Sequence, residues 1–225
     1  MDHLILYHGS PVIIEKPEFG KGKANNDYGR GFYCTEHIEL AKEWSCSLNT
    51  NGYANKYEID TQDLRILHLS DGEYTILNWL AILIQNRQAR LSTPVARRGK
   101  EWLIQYFLPE YTDYDVIVGY RADDSYFSFA RSFLSNEISL SQLGRAMKLG
   151  KLGEQYVLKS KKAFDAITYM DSSPADNRIY YEKRVTRDKE ARAAYYRELE
   201  TDDLNGIFMR DIIREEMKPD DPRLR

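Results

Sequence analysis

The sequence predicts an α+β fold, in which short strands and longer helices build one soluble domain with an appendage. Short apolar or alternating segments, typical of strands, occur early in the chain and again over residues 153–169. Segments with helical spacing of apolar residues occupy most of residues 73–150. With 42% hydrophobic and 30% charged residues, a chain of 225 residues can bury a core and remain soluble.

The strand candidates are short segments bounded by glycine or polar residues. They are residues 3–7, 32–35, 53–59, 64–69, 116–118, 153–160 and 166–169. Residues 116–118 are β-branched, which favours a strand, although a helix that begins near Asp115 fits nearly as well. Residues 16–31 are rich in Gly, Lys and Asn and predict a mobile loop.

The helix candidates place apolar residues on one side at helical spacing. The first covers residues 36–47, with Thr35 as its capping residue and Trp44 on its apolar side. The others are residues 73–90, 96–107, 125–134, 140–149, 180–200 and 205–217.

These elements predict two units along the chain. The first is a domain over residues 1–172 that contains a helical insert at about 73–150. The second is a C-terminal extension over residues 173–225, where charged residues of both signs predict solvated or packed helices.

Composition argues against several functional classes. A net charge of −3 lacks the basic excess of a general nucleic-acid-binding protein, although 32 Lys and Arg leave room for a local patch. The chain has no signal-peptide pattern and no run of roughly 18 apolar residues, so we expect a cytoplasmic protein without a membrane partner. The four histidines show no metal-ligand spacing, so we expect no metal: His3, His8, His37 and His68.

The first segment with chemical potential is LYHGS (6–10), where an apolar strand ends in His8 and Gly9. An imidazole can donate a hydrogen bond to a sugar hydroxyl, and a glycine lets a flat ligand approach the main chain. Taken alone, such a histidine is more often structural.

The second segment is GRGFYCTEHIELAKEWS (29–45). The ring of Tyr33 could stack on a flat heterocycle. Trp44 follows eleven residues later, about three helical turns along, and could present a second aromatic surface to the same pocket. Taken alone, both are more often core aromatics, and Arg30 is more often exposed than a phosphate ligand.

The third segment is GEQYVLKS (153–160). In a strand, Glu154 and Gln155 point to opposite faces, so one can enter a site while the other faces solvent or packing. Taken alone, the segment is an ordinary edge strand.

In this order, the three segments resemble the signature blocks of ADP-ribosyltransferases of the His-Tyr-Glu type, the diphtheria-toxin-like and poly(ADP-ribose)-polymerase-like enzymes. The matching positions are His8-Gly9, Gly29-Arg30-Gly31-Phe32-Tyr33 with Trp44, and Gln155-Tyr156-Val157. Residues 4–170 also resemble a bacterial family of transferase-like proteins of unknown function, which shares a block that is DVIVGYRADD (115–124) here. The resemblance implies a split β-sandwich of two small, mostly antiparallel sheets with a nucleotide cleft between them.

The resemblance also implies that NAD is the co-substrate and assigns a role to each matching residue. The Gly9 backbone would bind the nicotinamide amide, and His8 would bond a ribose hydroxyl of the adenosine half. Tyr33 and Trp44 would sandwich the nicotinamide ring. Further candidate contacts to the dinucleotide are Ser10 and Arg30.

Gln155 stands where most of these enzymes carry a catalytic glutamate. A neutral amide can hold the ribose 2′-hydroxyl, but it cannot stabilise a cation by charge or act as a base. We therefore expect single transfer and no polymer synthesis. The acceptor would have to be intrinsically reactive or be activated by another residue. Glu154 is the neighbouring carboxylate, although strand geometry points it away, and the alternatives are Asp123 and Asp124, which by default cap a helix.

The leading hypothesis is an NAD-dependent mono-ADP-ribosyltransferase with His8, Tyr33 and Gln155 as catalytic residues. By analogy it would be a bacterial toxin or phage-defence effector with an antitoxin protein, modifying a protein or nucleic-acid acceptor. The alternatives are an NAD glycohydrolase that uses the same site, and an inactive fold that binds a nucleotide or a partner. The helical insert and the extension either shape the acceptor site or only cover the sheet.

Overall fold

The computed structural model describes residues 3–88, 90–122, 124–149, 153–201 and 203–224, without the side chains of Asp124 and Ser125. Within these ranges the chain forms a mixed α+β fold with two small sheets and eight α-helices. The predicted α+β class is therefore confirmed.

The three-stranded sheet has the order β1-β3-β7, and both of its strand pairs are antiparallel. Its strands are β1 (His3–Ser10), β3 (Gly52–Asp60) and β7 (Ile167–Ala175). The four-stranded sheet has the order β2-β6-β5-β4, and only its β4–β5 pair is parallel. Its strands are β2 (Phe32–Cys34), β4 (Ile66–His68), β5 (Val116–Tyr120) and β6 (Glu154–Leu158).

The helices lie mostly between β4 and β6 and after β7. They are α1 (Ile38–Ser45), α2 (Ile76–Asn86), α3 (Pro94–Phe107), α4 (Asp124–Leu134), α5 (Leu140–Ala146), α6 (Lys161–Asp165), α7 (Asn177–Leu199) and α8 (Met209–Arg214). The predicted cap of α1 is wrong by two residues. Its N-cap is His37, while the Thr35 backbone bridges to Tyr7 of β1.

Alternating strand residues place apolar side chains on both faces of the four-stranded sheet. Val118 and Leu158 share one hydrophobic cluster with Leu6 and Tyr57 of the three-stranded sheet, so the two sheets pack face to face. Ile117 and Val157 point the other way, into a larger cluster built with the helices α2 to α5. The sheets therefore meet across an apolar layer, and helices cover the far side.

The C-terminal extension belongs to the same core. The expected boundary at residues 172–173 falls inside β7. Five apolar residues beyond it lie in the larger hydrophobic cluster: Tyr195, Met209, Ile212, Met217 and Leu224. The Trp102 indole also donates a hydrogen bond of 2.8 Å to the Met217 carbonyl. The extension therefore completes the helical layer.

Among the described residues, no helix combines the length and the apolar character that crossing a membrane requires.

Candidate functional site

The structure brings His8, Tyr33 and Gln155 to one cavity of about 930 Å³. His8 lies near the end of β1, while Tyr33 and Gln155 lie on β2 and β6 of the other sheet. The cavity therefore opens between the two sheets, and its volume is typical of a small-molecule site. Three further predicted residues also line it: Gly9, Ser10 and Trp44.

Arg30 is the predicted site residue that does not line this cavity. Its side chain is exposed, and its guanidinium donates a hydrogen bond of 2.9 Å to the Gly20 carbonyl. Glu154 does not line the cavity either. Asp123 lies outside the described residues, as does the side chain of Asp124.

The His8 imidazole is held in one tautomer. Its Nδ1 lies 2.7 Å from the Tyr33 carbonyl oxygen, which can only accept, so Nδ1 carries the proton. The ring stacks on Phe32 with a centroid distance of 4.2 Å. Burial lowers the pKa of His8, which keeps the ring neutral. Its Nε2 therefore offers an acceptor, and not a donor, to a ligand in the cavity.

The lowered pKa of His8 predicts a loss of stability in acid. The unfolded chain takes up this proton near pH 6.5 but the folded chain does so only at lower pH, so the free energy of unfolding falls as pH drops below 6.5. The His8 contribution is up to about 1.4 kcal/mol per pH unit. Urea unfolding at pH 7.5 and pH 5.5 should show a larger loss for the wild type than for His8→Asn. Equal losses of unfolding free energy in the two proteins would contradict a neutral His8 imidazole in the folded chain. The control is His37→Asn, at an exposed position.

The Tyr33 ring is fixed by its hydroxyl group. The hydroxyl donates to the Gly29 carbonyl at 2.6 Å and accepts from the Tyr28 amide at 3.1 Å. Burial raises the pKa of this phenol far above its usual range, so it stays neutral. The group can therefore offer a rigid aromatic surface to the cavity but not a charge.

Gly9 is required by the packing of β1 against α1. A Cβ at this position would lie 2.1 Å from the Ala41 carbonyl oxygen and 2.9 Å from the Ser45 nitrogen. The absent side chain thus makes room for the helix that carries Trp44. Tyr7 bonds Thr35 from the edge of β1 that faces away from β3. Because alternate residues of a strand direct their backbone groups to the same edge, the Gly9 N–H and C=O face that edge too.

A cation already covers one face of Trp44. The guanidinium carbon of Arg121 lies 3.7 Å from the centre of the indole ring, within the range of a cation–π contact. Both side chains line the cavity. A flat ligand that stacks on this face would have to displace Arg121.

Asp27 is a buried cavity residue that was not among the site residues predicted from the sequence. One carboxylate oxygen lies 2.9 Å from Nε of Arg87. The other accepts hydrogen bonds from the Ala122 amide at 2.8 Å and from Gln155 Nε2 at 3.0 Å. The available signal was its place at the start of the Asp27-Tyr28-Gly29 block, directly before the glycines.

The Gln155 carboxamide has a defined orientation. Its Nε2 donates to Asp27 Oδ2 at 3.0 Å and to the Tyr120 carbonyl at 3.2 Å. Both partners accept only, so the nitrogen must face them, and Oε1 is left as an acceptor on the opposite side of the amide group.

The cavity is positively charged in a protein that is negatively charged overall. Its lining contains six cations, Lys16, Lys21, Lys23, Arg87, Arg121 and Arg184, and three carboxylates, Glu15, Glu18 and Asp27. Six minus three is +3, against −3 for the whole chain. This local excess favours an anionic ligand such as a diphosphate.

The C-terminal extension reaches the cavity through α7. Arg184 lies in the lining. Arg187, one turn later, holds the buried Glu43 of α1 with two hydrogen bonds of 2.8 and 2.9 Å. Because Glu43 precedes Trp44, the extension also supports the helix that carries this cavity residue.

In the described part of the chain, no group of three or more His, Cys, Asp or Glu side chains is arranged to hold a metal ion.

Comparison with known proteins identifies one family. The profile described as "Protein of unknown function (DUF3990)" matches residues 4–169. Neither a curated protein nor a solved structure matches the chain significantly. The match ends within β7 and excludes α7 and α8.

Proposed function

The chain belongs to the DUF3990 family of proteins of unknown function, and we propose that it is an NAD-dependent mono-ADP-ribosyltransferase with an ADP-ribosyltransferase-like split β-sandwich. One observation carries the proposal. His8, Tyr33 and Gln155 come from three distant segments and line a single cavity between the two sheets. They are also the three positions that resemble the His-Tyr-Glu signature.

The nicotinamide end fits the wall made by β1 and β2. The Gly9 N–H and C=O offer a donor and an acceptor at the open edge of β1, which matches the needs of a carboxamide. The Tyr33 ring, fixed through its hydroxyl, offers a surface on which a flat heterocycle can stack.

The rest of the dinucleotide fits the acceptors and cations of the cavity. His8 Nε2 and Gln155 Oε1 can each accept a hydrogen bond from a ribose hydroxyl. Arg87, Arg121 and Arg184 supply positive charge for the diphosphate.

The proposed reaction breaks the bond between the ribose anomeric carbon and the nicotinamide nitrogen. The bonding electrons leave with neutral nicotinamide, and the ribose passes through an oxocarbenium-like state. The acceptor nucleophile then bonds the anomeric carbon and loses its proton. Gln155 cannot take that proton, so the acceptor must be intrinsically nucleophilic or be deprotonated by another group, and transfer stops at one unit.

The biological role is proposed by analogy. The resemblance to bacterial transferase-like proteins supports a toxin or phage-defence effector, held in check by an antitoxin protein. The acceptor is a protein or a nucleic acid, and the cationic cavity is compatible with either.

We expect NAD labelled in its adenylate half to label a macromolecule in cell extract, with release of nicotinamide. Splitting the product into protein and nucleic-acid fractions identifies the acceptor class. His8→Ala, Tyr33→Ala and Gln155→Ala should each lower the initial rate by about 100-fold, because each removes a group that orients the substrate. The control His37→Ala, at an exposed histidine, should retain the wild-type rate.

Two outcomes would replace this proposal. Release of free ADP-ribose at a rate that extract does not change would indicate an NAD glycohydrolase. Tight NAD binding without release of nicotinamide would indicate an inactive binding protein. The inactive binding protein is the second candidate function. It is favoured by the neutral Gln155, whose amide nitrogen already donates to Asp27 and to the Tyr120 carbonyl.

A further inference from the structure

The Asp27 carboxylate is in direct contact with the Gln155 side chain, and both are buried. Its exposed fraction is 5%, and that of Gln155 is 3%. The two come from different structural elements, the loop before β2 and the strand β6, and meet through a hydrogen bond of 3.0 Å. The ion pair with Arg87 offsets the cost of burying this carboxylate, and its second oxygen is left to bond Gln155 and the Ala122 amide.

We infer that Asp27 is the positioning residue of the proposed site, which holds the Gln155 carboxamide with its nitrogen inward and supplies the negative charge that a glutamate at position 155 would carry. The chemical consequence of this inference rests on the proposed function. The positioning itself rests on the hydrogen bonds alone.

The first argument is the direction of these hydrogen bonds. Without Asp27, Gln155 Nε2 would keep only the Tyr120 carbonyl, and the amide could turn over. With Asp27 present, a turned amide would place Oε1 against a carboxylate oxygen and a carbonyl oxygen. Asp27 therefore selects one of the two orientations and leaves Oε1 to accept a ribose hydroxyl.

The second argument concerns charge. Burial is the largest effect and raises the pKa of Asp27, while Arg87, the Ala122 amide and Gln155 oppose this rise without cancelling it. Each of these three partners donates to the carboxylate, so every one of them favours its ionised form. An ionised Asp27 polarises the amide that it holds, which makes Oε1 more negative at the place where an oxocarbenium-like ribose would form.

The experiment compares the full-length wild type with Asp27→Asn, which keeps the shape of the side chain and removes its charge. The matched control is Asp115→Asn. Asp115 accepts hydrogen bonds from the Ser160 hydroxyl and the Arg65 amide, and it does not line the cavity. The first readout is kcat and KM for nicotinamide release. The second is the side-chain amide signal of Gln155 in ¹⁵N NMR, assigned by its loss in Gln155→Glu.

For Asp27→Asn we expect kcat to fall by about 100-fold, as for a misplaced substrate-orienting group, with a change in KM of about threefold or less. The Gln155 side-chain amide protons should exchange with solvent at least about tenfold faster than in the wild type. Asp115→Asn should leave kcat and the Gln155 signal unchanged.

The two readouts separate failure of the inference from failure of the proposed function. An active wild type whose kcat and Gln155 signal are unchanged by Asp27→Asn would overturn the inference and leave the function standing. A wild type that releases no nicotinamide, but whose Gln155 signal depends on Asp27, would overturn the function and retain the positioning role.

Discussion

If the proposed function holds, we expect Gln155→Glu to lower nicotinamide release by about 100-fold or more, although it introduces the residue type that the His-Tyr-Glu enzymes carry. In this chain the side chain faces two acceptors, Asp27 Oδ2 and the Tyr120 carbonyl. A carboxylate in its place would put like charges together at a position that is only 3% exposed, and it would have to turn away from its present position.

The same substitution should change stability in a pH-dependent way. The nearby Asp27 charge and burial both raise the pKa of the new glutamate above its unfolded value. Its protonated form can donate to Asp27, so the variant approaches the wild type in acid and loses stability as pH rises through that folded pKa. At pH 8 the loss should be about 3 kcal/mol, as for a buried charge without a partner.

The matched control is Gln142→Glu, on α5. Gln142 is also 3% exposed, and its Nε2 donates to the carbonyls of Glu198 and Thr201 at 3.0 and 3.1 Å. Because Gln142 does not line the cavity, Gln142→Glu should lose stability but keep the wild-type kcat at a temperature where the protein stays folded. Faster nicotinamide release by Gln155→Glu would contradict the orientation of the Gln155 amide.

We expect a chain truncated after residue 172 to fail to fold, although it contains the whole family match. The truncation removes the last three residues of β7 and the pairing that they make with β3. It also removes the Arg187 side chain that neutralises the buried Glu43.

The loss of core residues has the largest effect in this truncation. Five buried apolar side chains disappear from the helical layer, Tyr195, Met209, Ile212, Met217 and Leu224. Each contributes roughly 1.5–3 kcal/mol, so their sum is comparable to the whole stability of a domain of about 5–15 kcal/mol.

Circular dichroism and thermal unfolding of the two chains would test this second prediction. A control chain that ends after residue 217 keeps α7, α8 and the hydrogen bond from Trp102 to Met217, and it should unfold cooperatively. Cooperative unfolding of residues 1–172 alone, with NAD turnover retained, would show that the extension is dispensable.

Local sequence pattern predicted most of the secondary structure. All seven strand candidates form strands, because each is a short apolar segment with polar or glycine boundaries. The local sequence could not decide between a strand and a helix at residues 116–118. Strand β5 is selected by its pairing with both β4 and β6, which are distant in the sequence.

The site was predicted in part. Resemblance identified the cavity residues His8, Tyr33 and Gln155, since each lies in a block with a recognisable order of residues. The Asp27–Gln155 contact could not be predicted, because a hydrogen bond between distant segments leaves no periodic signal. The contact of Arg121 with Trp44 was missed for the same reason.

The extension was predicted as an appendage of solvated or packed helices, and its charges concealed the small buried face that packs into the core. Only Ala191 and Tyr195 are buried along the described length of α7, too few to give a helical repeat of apolar residues. Its attachment depends on the Arg187–Glu43 ion pair and on residues that follow the helix.

The missing side chain at Gly9 has a consequence for the energetics of recognition. Strand β1 and helix α1 touch backbone to backbone there, with no flexible side chain between them. The Gly9 backbone and the helix that carries Trp44 therefore keep a fixed separation before any ligand binds. A ligand that contacts both residues in the cavity does not have to bring them together, so little of its intrinsic affinity is lost to ordering the protein.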